Sequence, residues 1–153
     1  MAKYAPFDTL HYEGAIEHQL KLMNDAMSIL RSTIAKGTAL HDKLLLSQPN
    51  TVDIETVRAM NLHLHTAARN ARHIYGETRE LLDGIYFGIQ EELSSAHNMD
   101  SKQYQLLKKL RTKTTNAKKT LRGYTINKME EDAYKTVEKI NKATKQHYTY
   151  RAR

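Results

Sequence analysis

The sequence of 153 residues contains no cysteine and no tryptophan, and its only prolines are Pro6 and Pro49. Without cysteine there is no disulfide framework, no thiolate metal site and no cysteine nucleophile. No run of about 18 apolar residues occurs, and the first residues lack the apolar stretch of a secretory signal. We therefore predict neither a transmembrane segment nor a signal peptide, and expect a cytoplasmic or virion-associated protein.

Proline, the strongest helix breaker, is also scarce. No proline follows Pro49, and proline would remove a backbone donor and clash with the preceding helical turn. Apolar residues recur at alternating steps of four and three, as in Ile16, Leu20, Met23 and Met27. This 3.5-residue period is typical of helices that pack side by side with knobs in holes.

The fold class predicted from this period is all-α, an elongated antiparallel bundle of three to four long helices with coiled-coil-like seams. We expect one helical domain, with a short N-terminal arm at 1–8 and a basic C-terminal half at 101–153. Only 40% of the residues are hydrophobic and the mean hydropathy is −0.68, which indicates a thin core. The predicted helices span 9–46, 51–96, 101–122 and 126–147.

Turn and capping residues mark the first two breaks between these helices. Pro49 ends the first helix, because the residue before a proline avoids the helical region. Asn50 or Thr51 is then placed to cap the second helix. Asp100 and Gln103 have the spacing of a capping box, which predicts the start of the third helix.

A softer third break is predicted at Gly123, since glycine often terminates a helix. Asn127 with Glu130 can cap the helix that follows. Glu130, Glu131 and Asp132 would then lie in its first turn, where the helix dipole favours negative charge.

Polar residues occupy several seam positions, where they lower stability but fix register. One interpretation is a thin bundle in which some core positions are polar and hydrated. The other is that part of each seam faces a second subunit. Gly76, Gly84 and Gly88 favour the second, since glycine lets another backbone approach closely. We therefore predict a homo-oligomer. The polar seam residues are His41, Asn61, Thr78, Gln103 and Thr114.

The sign of the charge changes along the chain. Residues 1–100 contain 9 Lys and Arg against 13 Asp and Glu, whereas residues 101–153 contain 15 against 4. The resulting net charges of −4 and +11 add up to the overall +7. Like charges crowded on one segment repel one another unless a partner or another part of the fold offsets them. The basic segment is therefore the best candidate for contact with an anion.

The basic tract, Lys102 to Arg122, holds eight cations and no acidic residue. On a helix these cations flank an apolar seam, so one face packs and the rest is cationic. The threonines and Asn116 suit phosphate oxygens, and Tyr104 and Tyr124 are placed to stack on bases. The candidate residues for binding nucleic acid or another anion are Lys102, Lys108, Lys109, Arg111, Lys113, Lys118, Lys119, Arg122, Arg151 and Arg153.

Internal ion pairing is the structural alternative to a binding surface. In that interpretation the tract is a solvated face whose lysines pair with carboxylates of the neighbouring helix. A separate alternative is that the tract binds an acidic protein. An anionic membrane is the least favoured partner, because the apolar side of the tract lacks the Trp and Phe that anchor interfacial helices. The carboxylates expected to pair with the tract are Glu77, Glu80, Asp83, Glu91 and Glu92 of the second helix.

Eight histidines raise the question of metal binding. His63 and His65 point about 200° apart on a helix, so they cannot chelate one ion together. His73 with Glu77 has chelating spacing, but two ligands fall short of a site. No Glu-x-x-His pair is present for a di-metal centre. We predict no metal site, no cofactor and no catalytic residue.

One segment does have a spacing known from enzymes. Arg58 and His63, in Arg-Ala-Met-Asn-Leu-His, fit the Arg-x4–6-His spacing that resembles the HEPN family of helical ribonucleases. The resemblance implies RNA cleavage centred on these two residues.

The sequence as a whole predicts a non-enzymatic structural or assembly subunit, a component of a nucleoprotein, filament or virion. Its basic tract would contact nucleic acid or an acidic partner. One alternative is a protein-only helical adaptor or chaperone that binds partner helices. The other is the HEPN-like ribonuclease.

Overall fold

The computed structural model describes residues 8–95 and 99–148, of which 91% are helical and none forms a strand. The predicted all-α helical bundle is confirmed. The predicted helix starts and ends that fall on described residues agree with the structure to within three residues. The predicted end of the second helix, at residue 96, lies outside the described residues. Coiled-coil geometry in the seams stays a prediction. The helices are α1 (Thr9–Leu46), α2 (Ile54–Ser95), α3 (Ser101–Gly123) and α4 (Ile126–Tyr148).

α2 begins three residues later than predicted, because the residues before it form a turn. The backbone N–H and the hydroxyl of Thr51 both donate to the Gln48 carbonyl, at 3.3 and 2.7 Å. Asn50 takes a left-handed conformation with φ 66°, which asparagine tolerates better than most residues. The cap is Asp53, whose carboxylate accepts the Glu55 N–H at 3.2 Å. The predicted cap at Asn50 or Thr51 is wrong.

The cap of α3 is confirmed. Asp100 has extended backbone angles, and its Oδ1 accepts the Gln103 N–H at 2.9 Å. This bond satisfies one of the backbone donors that a helix start leaves without an intrahelical partner.

The break at Gly123 is also confirmed, but its geometry differs from the prediction. The left-handed residue of this turn is Thr125, at φ 47°. α4 starts at Ile126, the residue after Thr125, so Asn127 lies inside the helix and Glu130 falls beyond its first turn. Both side chains instead hold Arg72 of α2. The predicted cap of α4 is therefore wrong.

The described residues pack into two compact units, and both long helices contribute to each. Unit 1 combines α1 up to Met23, α2 from Ile74 onward, and α3. Unit 2 combines α1 from Asn24, α2 up to His73, and α4. Each unit therefore buries its apolar residues among three helical segments.

In unit 1, α3 runs antiparallel to α2. Arg111 contacts Gln90, and Lys118, seven residues later, contacts Asp83, seven residues earlier. This register turns one face of α3 into the core. The largest buried side chains of unit 1 are Ile16, Met23, Thr78, Leu82, Ile89, Leu107, Leu110 and Thr114.

In unit 2, α4 runs antiparallel to α2 in the same way. Arg72 contacts Glu130, and Asn61, eleven residues earlier, contacts Asn141, eleven residues later. α1 comes close to α2 and α4 at Gly37, because glycine has no side chain to keep the helices apart. The largest buried side chains of unit 2 are Met27, Leu30, Leu64 and Ile140.

Three of the polar seam residues find partners within the chain, whereas the buried amide nitrogen of Gln103 has none among the described residues. Thr78 is fully buried and accepts a hydrogen bond from the Gln19 amide at 3.1 Å. Thr114, also fully buried, donates to its own helix four residues back. The Asn61 amide donates to Asn141 Oδ1 at 2.8 Å. The thin-bundle interpretation accounts for these positions, and the homo-oligomer stays a prediction.

Candidate nucleic-acid interface

α3 presents a packed face and a cationic surface, as its sequence pattern predicts. Its buried residues recur every three or four positions and pack into the core of unit 1. The remaining positions carry the basic tract, and no acidic residue lies on the helix. The buried residues of α3 are Leu107, Leu110, Thr114, Ala117 and Leu121.

Two cations at the edges of the packed face form ion pairs inside unit 1. Lys113 Nζ lies 2.5 Å from Glu17 Oε1 of α1. Lys118 Nζ lies 2.9 Å from Asp83 Oδ1 of α2, and 4.5 Å from the centroid of the Tyr86 ring. A carboxylate offsets the charge of each lysine, and the ring face adds to this for Lys118, so both position α3 against its neighbours.

Five of the other six cations of α3 face solvent, and Arg111 is half-buried. Lys108 lies 5.3 Å from the centroid of the Tyr104 ring, at the edge of cation–π range. No ion pair joins any of these cations to a carboxylate in the described part of the chain. The exposed cations of the tract are Lys102, Lys108, Lys109, Lys119 and Arg122.

Internal pairing was the structural alternative, and it holds for part of the tract. Asp83 pairs with Lys118 as predicted. Arg111 instead donates to the neutral Gln90 amide at 3.4 Å. Glu92 is half-buried, its Oε2 has no hydrogen-bond partner, and burial raises the pKa of its carboxyl because the charged form is disfavoured there. No ion pair joins Glu92 to a cation of the tract among the described residues.

Three threonines of α3 use their hydroxyl protons within the helix. Thr112 and Thr120 each donate the hydroxyl proton to the carbonyl four residues earlier, at 3.2 and 3.1 Å, and Thr114 does the same inside the core. Such bonds are common in helices and occupy the donor that a phosphate would need. Thr115 and Asn116 remain as polar groups beside the exposed cations.

The tyrosines predicted to stack on bases differ in their surroundings. Tyr104 is 44% exposed on the outer side of α3, so its ring is available to a ligand. Tyr124 is half-buried in the turn after α3, where its backbone N–H donates to Leu121 at 3.2 Å. Tyr104 is therefore the better placed of the two.

Two depressions run along the line where α2 meets α3 in unit 1. The first, of about 290 Å³, contains a tyrosine, three cations and one carboxylate. The second, of about 230 Å³, contains a tyrosine, one cation and polar groups of α3. The first is lined by Tyr75, Arg79, Leu82, Asp83, Lys118, Leu121 and Arg122, and the second by Tyr86, Arg111, Thr112, Thr115 and Asn116.

Three of these lining residues were missed by the sequence analysis. Tyr75, Arg79 and Tyr86 lie on α2, outside the basic tract. Their spacing keeps them beside the apolar seam of α2, which was a usable signal. Which of them would meet α3 depends on the register between the two helices, and the sequence does not specify that register.

The remaining predicted residues do not come together into a site. Arg151 and Arg153 lie outside the described residues. Arg58 pairs with Glu55 at 2.7 Å, and His63 is about 140° further around α2, so no hydrogen bond joins the two residues of the HEPN-like segment. Within residues 8–95 and 99–148, no group of three or more His, Asp or Glu side chains is placed to hold a metal ion.

No protein-family model, curated protein or solved structure matches this chain. In the part of the chain that the structure describes, no helix combines the length and the apolar character needed to cross a bilayer.

Proposed function

We propose that this protein is a non-enzymatic assembly subunit that contacts nucleic acid through α3. The observation that carries the proposal is the group of exposed cations on α3, which has no carboxylate partner among the described residues and no acidic residue on its own helix. Confined to one face, these charges repel one another. A polyanion removes that repulsion and gains entropy as it releases its counterions.

The spread of the charge favours a polyanion over a single anionic group. Lys102 and Arg122 are twenty residues apart, which is about 30 Å on a helix. Nucleic acid offers phosphates continuously over such a distance. Contacts of this kind bind the backbone with little sequence preference. Such a surface suits a subunit of a nucleoprotein, filament or virion. The protein would then be cytoplasmic or virion-associated.

The test compares two triple variants of equal charge. Lys108, Lys109 and Lys119 are changed to glutamine on α3, and Lys128, Lys139 and Lys142 are changed to glutamine on α4. All six lysines are exposed, so each variant loses three charges without loss of core packing. Binding of a labelled duplex is measured by fluorescence anisotropy over a range of salt concentrations.

We expect the α3 variant to bind more weakly and to lose about two to three units of the log–log salt slope, since each phosphate contact contributes about 0.9. The α4 variant should retain most of the affinity. Equal weakening by both variants would show that net charge alone attracts the nucleic acid. An α3 variant that binds like the parent would reject the proposal in favour of an acidic protein partner.

A second candidate function is the helical adaptor, supported by a groove in unit 2. The groove measures about 580 Å³ between α1 and α2, and Ile29 and Leu62 at its edge are 56% and 65% exposed. Its lining includes Lys36 and no carboxylate. The partner of matching chemistry is an amphipathic helix with apolar side chains on one face and acidic residues beside them. Ile29→Ser with Leu62→Ser should abolish its binding to this groove while α3 still binds nucleic acid.

A further inference from the structure

We propose that the line between α2 and α3 in unit 1 accommodates single-stranded nucleic acid, with bases stacked on Tyr75 and Tyr86. This inference rests on the proposed function, because α3 supplies the phosphate contacts. It adds the form of the nucleic acid and two aromatic contacts that lie outside the basic tract.

The first depression combines one aromatic ring with excess positive charge. Tyr75 is half-buried there, beside Arg79, Lys118 and Arg122. The one carboxylate in the lining, Asp83, lies 2.9 Å from Lys118 and 3.9 Å from Arg79. Arg122 is exposed and has no ion pair among the described residues. The depression therefore offers a ring for a base and a cation for the adjoining phosphate.

The second depression repeats this combination. Tyr86 is half-buried, with Arg111 across from it and Asn116 and Thr115 alongside. An amide and a hydroxyl next to an aromatic ring can bond to the edge of a stacked base.

Lys118 connects the two depressions. It lines the first, and its Nζ lies 4.5 Å from the ring centroid of Tyr86, which lines the second. Tyr75 and Tyr86 are eleven residues apart on α2, or about 16 Å. A strand that follows the helix line therefore meets both rings, with cations between them.

The rings distinguish a single strand from a duplex. Base pairs in a duplex are stacked on one another, so their faces are hidden from protein side chains, whereas a single strand exposes them. A ring contributes about 1–3 kcal/mol for each base that it stacks, with little dependence on sequence. A surface for duplex alone needs cations but has no use for two tyrosines placed among them.

The experiment measures binding of labelled oligothymidylate and of a hairpin duplex to three forms of the full chain. The parent is compared with Tyr75→Leu/Tyr86→Leu, which lacks both rings, and with Tyr75→Phe/Tyr86→Phe, which retains them. We expect the leucine pair to weaken oligothymidylate binding at least tenfold and leave duplex binding within about twofold, as expected for the loss of stacking. The phenylalanine pair should bind oligothymidylate like the parent.

Tyrosine emission gives a second readout that does not depend on the leucine variant folding. The chain has nine tyrosines and no tryptophan, so tyrosine emission can be followed directly. Oligothymidylate should quench part of it in the parent, and much less in the phenylalanine pair at equal saturation. Equal quenching in both, or equal loss for both nucleic acids in the leucine pair, would overturn the inference.

These outcomes separate the inference from the proposed function. If the α3 lysine variant weakens binding but neither tyrosine pair changes it, nucleic-acid binding stands and the stacking contacts are rejected. If the parent binds neither oligothymidylate nor the hairpin, the proposed function itself fails.

Discussion

His147, at the end of α4, accepts a hydrogen bond at Nε2 from the backbone N–H of Val52, 95 residues earlier, at 3.3 Å. Its Nδ1 lies 3.3 Å from the Leu44 carbonyl, which can only accept, so Nδ1 carries the proton of the neutral ring. His147 is 4% exposed. Next to it, the Tyr148 hydroxyl donates to the Val52 carbonyl. The end of α4 thus holds the connection between α1 and α2 in unit 2.

The first prediction follows from these two bonds. His147→Ala leaves a buried N–H and a buried carbonyl without partners and opens a cavity, so we expect a loss of about 2–3 kcal/mol. That corresponds to a fall in Tm of about 5–10 °C by circular dichroism. His18→Ala removes an exposed histidine and is the control, with no shift expected. Equal melting temperatures for the His147 and His18 variants would show that the two bonds of His147 do not stabilise the fold.

Arg72 gives the second prediction. Its guanidinium makes two bonds to the Glu130 carboxylate, at 2.9 and 3.3 Å, and one to Asn127 at 2.6 Å. Lysine cannot reproduce this fork, so Arg72→Lys should lower the free energy of unfolding in urea by about 1–2 kcal/mol. Arg58→Lys, at an exposed pair with Glu55, should change it by less than about 0.5 kcal/mol. Similar effects at both sites would show that the forked geometry of Arg72 adds nothing to the free energy of unfolding.

How far the sequence predicts this structure depends on the distance between the interacting residues. The four helices and the Asp100 cap follow from apolar period and local capping chemistry, which act over a few residues. The contacts of Glu17 with Lys113, and of Arg72 with Glu130, were not predicted. They depend on the register between helices, which the packing of many side chains sets together.

The burial of His147 is predictable from the sequence, although it is not among the predicted seam residues. It lies seven residues after Ile140, one repeat further along the seam of α4, so its burial follows from the same period. The candidate interface is likewise predictable only in part. The basic tract was located from charge alone, but which of its cations pair with Glu17 and Asp83 depends on the helix register.

Glu92 gives a pH-dependent prediction. Burial raises the pKa of its carboxyl above 4.5, so the folded state holds this proton more tightly than the unfolded chain. The carboxyl therefore costs no stability below about pH 4.5, and destabilises the fold as the pH rises through its raised pKa. We expect Glu92→Gln to stabilise the protein by on the order of 1 kcal/mol at pH 7 and to lose that advantage at acid pH.

Thermal unfolding at several pH values tests this sign. Glu80→Gln is the control, because Glu80 is exposed on the same helix. An advantage for Glu92→Gln that is the same at pH 4 and at pH 7 would mean that burial of the charge is not its cause.

The last prediction concerns Gly37, at the close approach of three helices in unit 2. A Cβ built there would lie 2.8 Å from Thr136 Cγ2, closer than Cβ atoms pack, and 3.1 Å from Leu64 Cδ1, tighter than most Cβ contacts. Gly37→Ala should therefore destabilise the protein by about 1–3 kcal/mol, despite the better helix propensity of alanine. Gly84→Ala meets no atom within 4 Å and should stabilise it by about 0.5–1 kcal/mol.

A double variant identifies the cause of the loss at Gly37. Thr136→Ser removes the Cγ2 methyl group but keeps the hydroxyl that donates to the Asp132 carbonyl at 2.8 Å. In the Gly37→Ala background this change should restore most of the lost stability, whereas alone it should cost a little packing. Urea unfolding of the four proteins measures the coupling between the two positions. Purely additive effects would show that the added methyl group at position 37 does not press on Thr136.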